Sequence, residues 1–355
     1  MRAQAERARA AVRAGAHAVE SAAMARIDPA WDGPPRAAHL LVTYRCNLKC
    51  AHCDSWKVRQ HGDLSVEQWA QALQGLDSLD VVKVLGGEPF ARSDMPELLT
   101  LIRQAVRPHL LQLTTNGMLE DRLVDAIERM AWPGLQLRLS VDGLGATHDQ
   151  QRGSPGSFAV VERTLRRVAA LRPRYGFSLG INFALTDRSL PELPAMRRFA
   201  AELGASLVPG VNVQPFLVGT QPPEQVRPRV VGLAEPSVAR AALMGDPAPR
   251  GPLGRALATV GAALRRGSVE AAVGGGPQAF PCRELRQLIY VLPNGDLVRC
   301  GLDHRPAGNL LRDGLPAIWA SPARAALRAA VDRCPGCLQA SVNILSRAYG
   351  GCWSA

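Results

Sequence analysis

Six short apolar runs, separated by amphipathic stretches of helical period, restrict this chain more than any other feature in it. Strands are expected at 38–43, 81–86, 110–115, 135–141, 177–185 and 207–216, with helices at 65–79, 94–107, 120–131, 157–172 and 189–204. Three helix starts have capping-box spacing: Ser65 with Gln68, Asp94 with Glu97, and Ser189 with Glu192. Strands alternating with helices build a parallel sheet, because each parallel crossover needs a helix-length connection. Ligands of such sheets bind at the carboxyl ends of the strands, so the residues there carry the functional reading.

The first run leads into Thr43-Tyr44-Arg45-Cys46-Asn47-Leu48-Lys49-Cys50-Ala51-His52-Cys53-Asp54, a Cys-x-x-x-Cys-x-x-Cys spacing. Three thiolates so close together hold a soft metal or a cluster. A disulfide knot is disfavoured by the chain length, by the lack of a secretory signal and by the odd local number of cysteines. A structural zinc wants four closed ligands, and the fourth would have to be His52, between two of the cysteines. Three cysteines leave one iron of a four-iron four-sulfur cluster open for chemistry.

At Cys46, Cys50 and Cys53 the chain resembles the radical S-adenosylmethionine (SAM) enzymes. The resemblance implies that the methionyl end of SAM chelates the open iron, and that its reductive cleavage releases a 5'-deoxyadenosyl radical. It implies an electron donor such as flavodoxin or ferredoxin. It also sharpens the α/β reading to a partial (β/α)6 barrel.

The other strand ends extend the resemblance. Gly86-Gly87-Glu88-Pro89 after the second strand is similar to the family's motif for the amino group of SAM, although Gly-Gly-x-Pro is also an ordinary turn. The third strand ends in Thr114-Thr115-Asn116-Gly117 and the fourth in Ser140-Val141-Asp142-Gly143, each also a turn former. By resemblance Ser140 and Arg152 are candidates for the SAM carboxylate, with Asn116, Asp142 and Asn182 nearby, and His148 orients a loop. A guanidinium pairs a carboxylate through two parallel bonds, but Arg152 also suits an interhelix salt bridge. Asn212 and Gln214 either face the barrel mouth or form the wet side of the sixth strand.

Residues 1–36 read as a helical extension, too short for the winged-helix leader-peptide module of many peptide-modifying relatives. Residues 37–218 are the barrel, and 219–281, rich in proline and glycine, are a linker or lid. In 282–355, a strand at 286–292, the turn Pro293-Asn294-Gly295-Asp296 and a strand ending at Cys300 read as a β-hairpin. A helix follows near 315–331, and then Cys334-Pro335-Gly336-Cys337. This segment resembles the auxiliary-cluster domain called SPASM in its shortened, twitch form. The resemblance implies a second four-iron four-sulfur cluster on Cys282, Cys300, Cys334 and Cys337, a ligand number that would also suit zinc. Cys352 is a spare tail thiol, a replacement ligand or a hydrogen-atom donor to a substrate radical.

The formal charge of +11 resides almost wholly in arginine, and no basic patch is interleaved with aromatics, so no nucleic-acid partner is expected. No apolar run approaches the roughly 20 residues of a membrane span, and a cytoplasmic location keeps the thiols reduced. The chemistry expected is hydrogen abstraction from an unactivated C–H, giving oxidation or epimerisation. The substrate expected is a small carbohydrate-like molecule (sugar, aminocyclitol or nucleoside) of natural-product or antibiotic biosynthesis. The alternatives are a maturase of a ribosomally made peptide and a non-catalytic, zinc-stabilised basic binding protein.

Overall fold

The computed structural model describes residues 33–58, 62–214, 229–234 and 282–333. The helical extension over 1–26, most of the 219–281 segment, Cys334, Cys337 and Cys352 lie outside them.

Strands β1 (Ala37–Leu41), β2 (Val81–Leu85), β3 (Leu110–Thr115), β4 (Leu135–Ser140), β5 (Ser178–Leu185) and β6 (Ser206–Gln214) pair in parallel and in sequence order, as the alternation requires. Helices α1 (Val66–Ala72), α2 (Met95–Val106), α3 (Glu120–Met130), α5 (Ser157–Tyr175) and α6 (Leu193–Glu202) stand between them. A short α4 (Ala146–Arg152), which no period signals, runs between two glycines with positive φ, Gly145 and Gly153. The side chains facing the helices are apolar and buried, for example Leu40, Val82, Val84, Leu111, Leu113, Leu137 and Ile181. Fully burying one such side chain contributes about 1.5–3 kcal/mol, so this layer holds the sheet to its helices.

Only one of the three capping boxes forms. Ser65 accepts from the Gln68 amide while Gln68 accepts from that of Ser65. The Asp94 carboxylate is instead taken by Arg92, whose guanidinium also reaches the carbonyls of Val42 and Leu64 and is buried. The Ser189 hydroxyl turns to the Ala184 carbonyl, and Glu192 accepts from the Leu144 amide and the Thr147 hydroxyl. At Asp94 the neighbouring Arg92 outcompetes the cap because a charge-assisted bond is the stronger one.

The C-terminal hairpin forms as β8 (Leu288–Val291) and β9 (Asp296–Cys300), with a third antiparallel strand, β10 (Asp303–Asn309). β10 carries His304, Arg305 and Pro306 and shifts register around Pro306, so it has no regular alternation to detect. β8 pairs in parallel with β1, from Ala37 against Leu288 to Leu40 against Val291. The hairpin therefore prolongs the barrel sheet, in the order β10-β9-β8-β1-β2-β3-β4-β5-β6-β7, where β7 is Arg229–Val231. The expected helix at 315–331 is divided into α8 (Leu315–Trp319) and α9 (Pro322–Asp332), and a further short helix, α7 (Leu310–Asp313), precedes them. Gly314, at φ 74, and the Ser321 N-cap before Pro322 make the breaks. Arg324 fastens α9: it donates to the carbonyls of Leu285 and Trp319 and stacks on the Trp319 ring.

The inner face of the barrel is polar by comparison. His39, Lys83, Gln112 and Gln136 occupy successive register positions across β1 to β4, and Arg138 follows Gln136 on the same face of β4. Burial, and then Arg138, hold the Lys83 pKa down at about 8 against an ordinary 10.5. Between those values the folded chain carries fewer protons than the unfolded one, so stability rises with pH. This contribution is present above about 10.5 and is lost as pH falls through about 8. Lys83→Met is expected to be more stable than wild type at pH 7 by about 1–3 kcal/mol, with the difference closing between pH 8 and 10.5 in urea titrations. A difference independent of pH would contradict a buried charge at Lys83.

Candidate active site

The loop after β1 carries Cys46, Cys50 and Cys53, none of them in a disulfide. Cys50 is buried and the other two half-buried. Burial pushes the Cys46 thiol up to about 12, with smaller contributions from Glu88 and from the neighbouring sulfurs of Cys50 and Cys53. Burial likewise raises Cys50, against the Arg152 guanidinium, which lies 3.7 Å from its sulfur. Cys46 and Cys50, whose thiols burial keeps from ionising, need a cationic partner to become ligands. Among the described residues no three His, Cys, Asp or Glu side chains converge as a single metal ion would require.

The turn after β2 explains why a glycine is needed at position 87. A Cβ on Gly87 would lie 2.4 Å from the carbonyl oxygens of both Tyr44 and Arg45, so only glycine lets this turn lie against the cysteine loop. The Gly87 amide donates to Thr43 O and the Glu88 amide to Arg45 O, at 2.8 and 2.7 Å. Among the described residues the Gly86 and Gly87 carbonyls take no backbone hydrogen bond. The Glu88 side chain points into the protein instead. It accepts from the Phe90 and Asn116 amides and the Thr115 hydroxyl, and burial still raises its pKa. Pro89 opens a short 3-10 turn that ends at Ala91.

Asn116 reaches the loop from the end of β3, donating through Nδ2 to Asn47 Oδ1 at 2.8 Å. Asp142, at the end of β4, pairs with Arg152 at 2.8 Å and accepts from the Ala184 amide. Arg152 is thus neither on the surface nor in an interhelix bridge: it is 8% exposed, between Asp142 and Cys50. His148 accepts from the Asp142 amide through Nδ1, and burial lowers its pKa to about 4, the orienting role expected. Ser140 and Asn182 are register partners on β4 and β5, both half-buried. The side chains of Asn212 and Gln214, on β6, lie outside the described residues.

Several further residues fix the loop through partners that the sequence does not indicate. Gln151 donates to the Asp142 carbonyl, and its own carbonyl accepts from Ala51. Thr43 donates to Asp63, and His52 lies 3.6 Å from Asp142. A Cβ on Gly153 would meet Lys49 O at 2.6 Å. Only the glycines among these could have been suspected from sequence, since the others act across long sequence separations.

In the C-terminal part Cys300 ends β9 and is pushed up to about 12 by burial, with Glu284 and Cys282 adding to it. Cys282 and Cys300 are thus brought into electrostatic range of each other. Glu284 is wholly buried, with both carboxylate oxygens unbonded among the described residues, and burial holds its pKa up at about 8. Gly87→Ala is expected to displace the cysteine loop and to lower the iron retained after anaerobic reconstitution by about half. Iron content equal to wild type would contradict the close approach at Gly87.

Comparison with known proteins agrees with this geometry. The model of the Radical SAM superfamily matches residues 40–188, and the SPASM model, an iron-sulfur cluster-binding domain, matches 282–338. The pre-heme d1 synthase of Dinoroseobacter shibae is 32% identical over 168 residues, 46% of this chain and 40% of that protein. Mycofactocin maturase MftC of Mycobacterium tuberculosis is 33% identical over 172 residues, 47% of this chain and 42% of that protein. The chain therefore spans less than half the length of these two curated relatives. Streptococcus suis SuiB, solved with its precursor peptide SuiA, has the same fold, with a TM-score of 0.60 at 16% identity over 83% of this chain and 66% of that one. Cofactors of this family are SAM, the cluster that binds it and an auxiliary cluster. The chain belongs to the radical SAM superfamily, in the group with a C-terminal SPASM iron-sulfur domain.

Proposed function

We propose that this chain is a maturase that modifies a ribosomally made peptide by hydrogen abstraction. The chemistry rests on one observation above all: the cysteine loop lies on a glycine turn whose carbonyls take no backbone hydrogen bond among the described residues. When bound, the cluster and SAM would supply the carbon radical. In our reading Cys46, Cys50 and Cys53 hold that cluster. The Gly86 and Gly87 carbonyls accept from the SAM ammonium, and Ser140 and Asn182 meet SAM at the ends of β4 and β5. Asp142 is a positioning residue, since it holds Arg152 against Cys50. Arg152 thereby serves the loop before the SAM carboxylate. Cys282 and Cys300, with Cys334 and Cys337, hold the auxiliary cluster, and an external protein donor reduces the enzyme.

The peptide reading draws on MftC, a maturase, and on SuiB, solved with a precursor peptide. These relatives support it better than the carbohydrate-like substrate that the sequence alone favours. A second reading, side-chain chemistry on a tetrapyrrole, is favoured by the 32% identity to pre-heme d1 synthase.

Anaerobic incubation of reduced enzyme with SAM tests the choice, using three substrates in parallel: a short peptide encoded beside the gene, an iron porphyrin and an aminocyclitol. Loss of hydrogen from the peptide, matched mole for mole by 5'-deoxyadenosine, is the expected result. Turnover of the porphyrin or the aminocyclitol alone would overturn it.

A further inference from the structure

The cationic side chains on the inner face of the barrel play no part in holding the cysteine loop. His39 is 2% exposed and Lys83 9%, on adjacent strands in register. Arg138, two strands beyond Lys83, donates through Nη2 to Gln136 at 3.1 Å. Its Nε and Nη1, together with His39 Nε2, are buried without any hydrogen-bond partner among the described residues. No ion pair joins Lys83 or Arg138 to a carboxylate of the described residues, and the two repel each other. Burial, reinforced by Lys83, keeps the His39 imidazole neutral, which leaves Lys83 and Arg138 as the charged pair.

Removing an unpaired ion from water costs several kcal/mol even after relaxation, and two like charges side by side cost more. The alternative of an apolar row was open to the sequence, because the helix-facing side of the same strands is Val82, Val84, Leu137 and Leu139. Lys83 lies three residues before Gly86 and Arg138 two before Ser140. At the rise of a strand they sit about 7–10 Å below the strand ends that frame the cysteine loop. A substrate entering the barrel from those ends meets these cations next.

We infer that the inner face of the barrel binds a carboxylate of the substrate between Lys83 and Arg138, so that the residue under attack is fixed by an anion-bearing neighbour. This deepens, and rests on, the peptide reading: the carboxylate is an acidic side chain or the peptide C-terminus. Its ammonium and guanidinium partners would gain a counter-charge that no described residue supplies, and a charge-assisted, water-poor contact is strong enough to set register.

The test uses the reconstituted enzyme saturated with SAM, which keeps the probe off the open iron, and glutarate as the probe. The melting temperature of wild type is expected to rise with glutarate and not with chloride at equal ionic strength. Lys83→Met combined with Arg138→Met should lose this response. So should Gln112→Glu, which places a carboxylate beside Lys83 and should itself melt higher. With peptide substrates, Glu→Gln changes and C-terminal amidation, made separately, identify which carboxylate is read by the larger rise in KM. A wild type that ignores glutarate, or variants that respond as wild type does, would overturn the proposal. Glutarate stabilisation without turnover of any peptide would keep the anion site and sink the peptide reading instead.

Discussion

The close approach of the β2 turn to the loop after β1 is the contact on which the remaining site geometry depends. With 2.4 Å between a Gly87 Cβ and two carbonyl oxygens, no side chain fits, and the two backbones lock by a pair of amide-to-carbonyl bonds. That lock fixes where Cys46 begins and where the carbonyls of Gly86 and Gly87 point. Glu88 then ties the turn to β3 through the Thr115 hydroxyl and the Asn116 amide, and Asn116 returns to the loop at Asn47. From the far side α4 closes the ring: Arg152 and Gln151 connect the loop to Asp142 at the end of β4. Four strand ends are thereby coupled to one loop, so a shift in any of them is felt at the cysteines.

Much of this was legible in the sequence, for a physical reason. Strands of a parallel sheet are buried on at least one face and carry apolar residues at least at every second position, so five of the six barrel strands end within two residues of their expected ends, and the sixth, β6, starts one residue early. The cysteine spacing and the two glycines are local, and local patterns survive in sequence. What did not survive depends on long-range partners. Arg152 looked equally suited to a ligand carboxylate or a surface bridge, because its partner Asp142 and the sulfur of Cys50 are adjacent only in the fold. At Ser189 the capping box failed for the same reason, since the distant Leu144 and Thr147 claimed Glu192, whereas at Asp94 a neighbour two residues away, Arg92, took the carboxylate. β10 escaped because an edge strand with Pro306 at a register shift shows no period.

The union of β8 with β1 has a functional meaning that neither half carries alone. β1 leads into the cysteine loop at one end and shares its hydrogen bonds with the hairpin that ends in Cys300. The two metal-binding regions are thus parts of a single sheet, with their separation set by backbone hydrogen bonding rather than by a linker. Buried Tyr290, paired with His39 across that seam, and Glu284 near Cys300 put polar groups in the intervening space.

The central claim is that Cys46, Cys50 and Cys53 form a site for SAM separate from the C-terminal cysteines. Electron paramagnetic resonance of the dithionite-reduced protein, with and without SAM, reads it directly when wild type is compared with Cys46→Ala/Cys50→Ala/Cys53→Ala. The expected result is one signal that shifts on adding SAM in wild type, and a variant that keeps only a SAM-insensitive signal from about four irons. A SAM-dependent shift that survives in the variant would contradict the account.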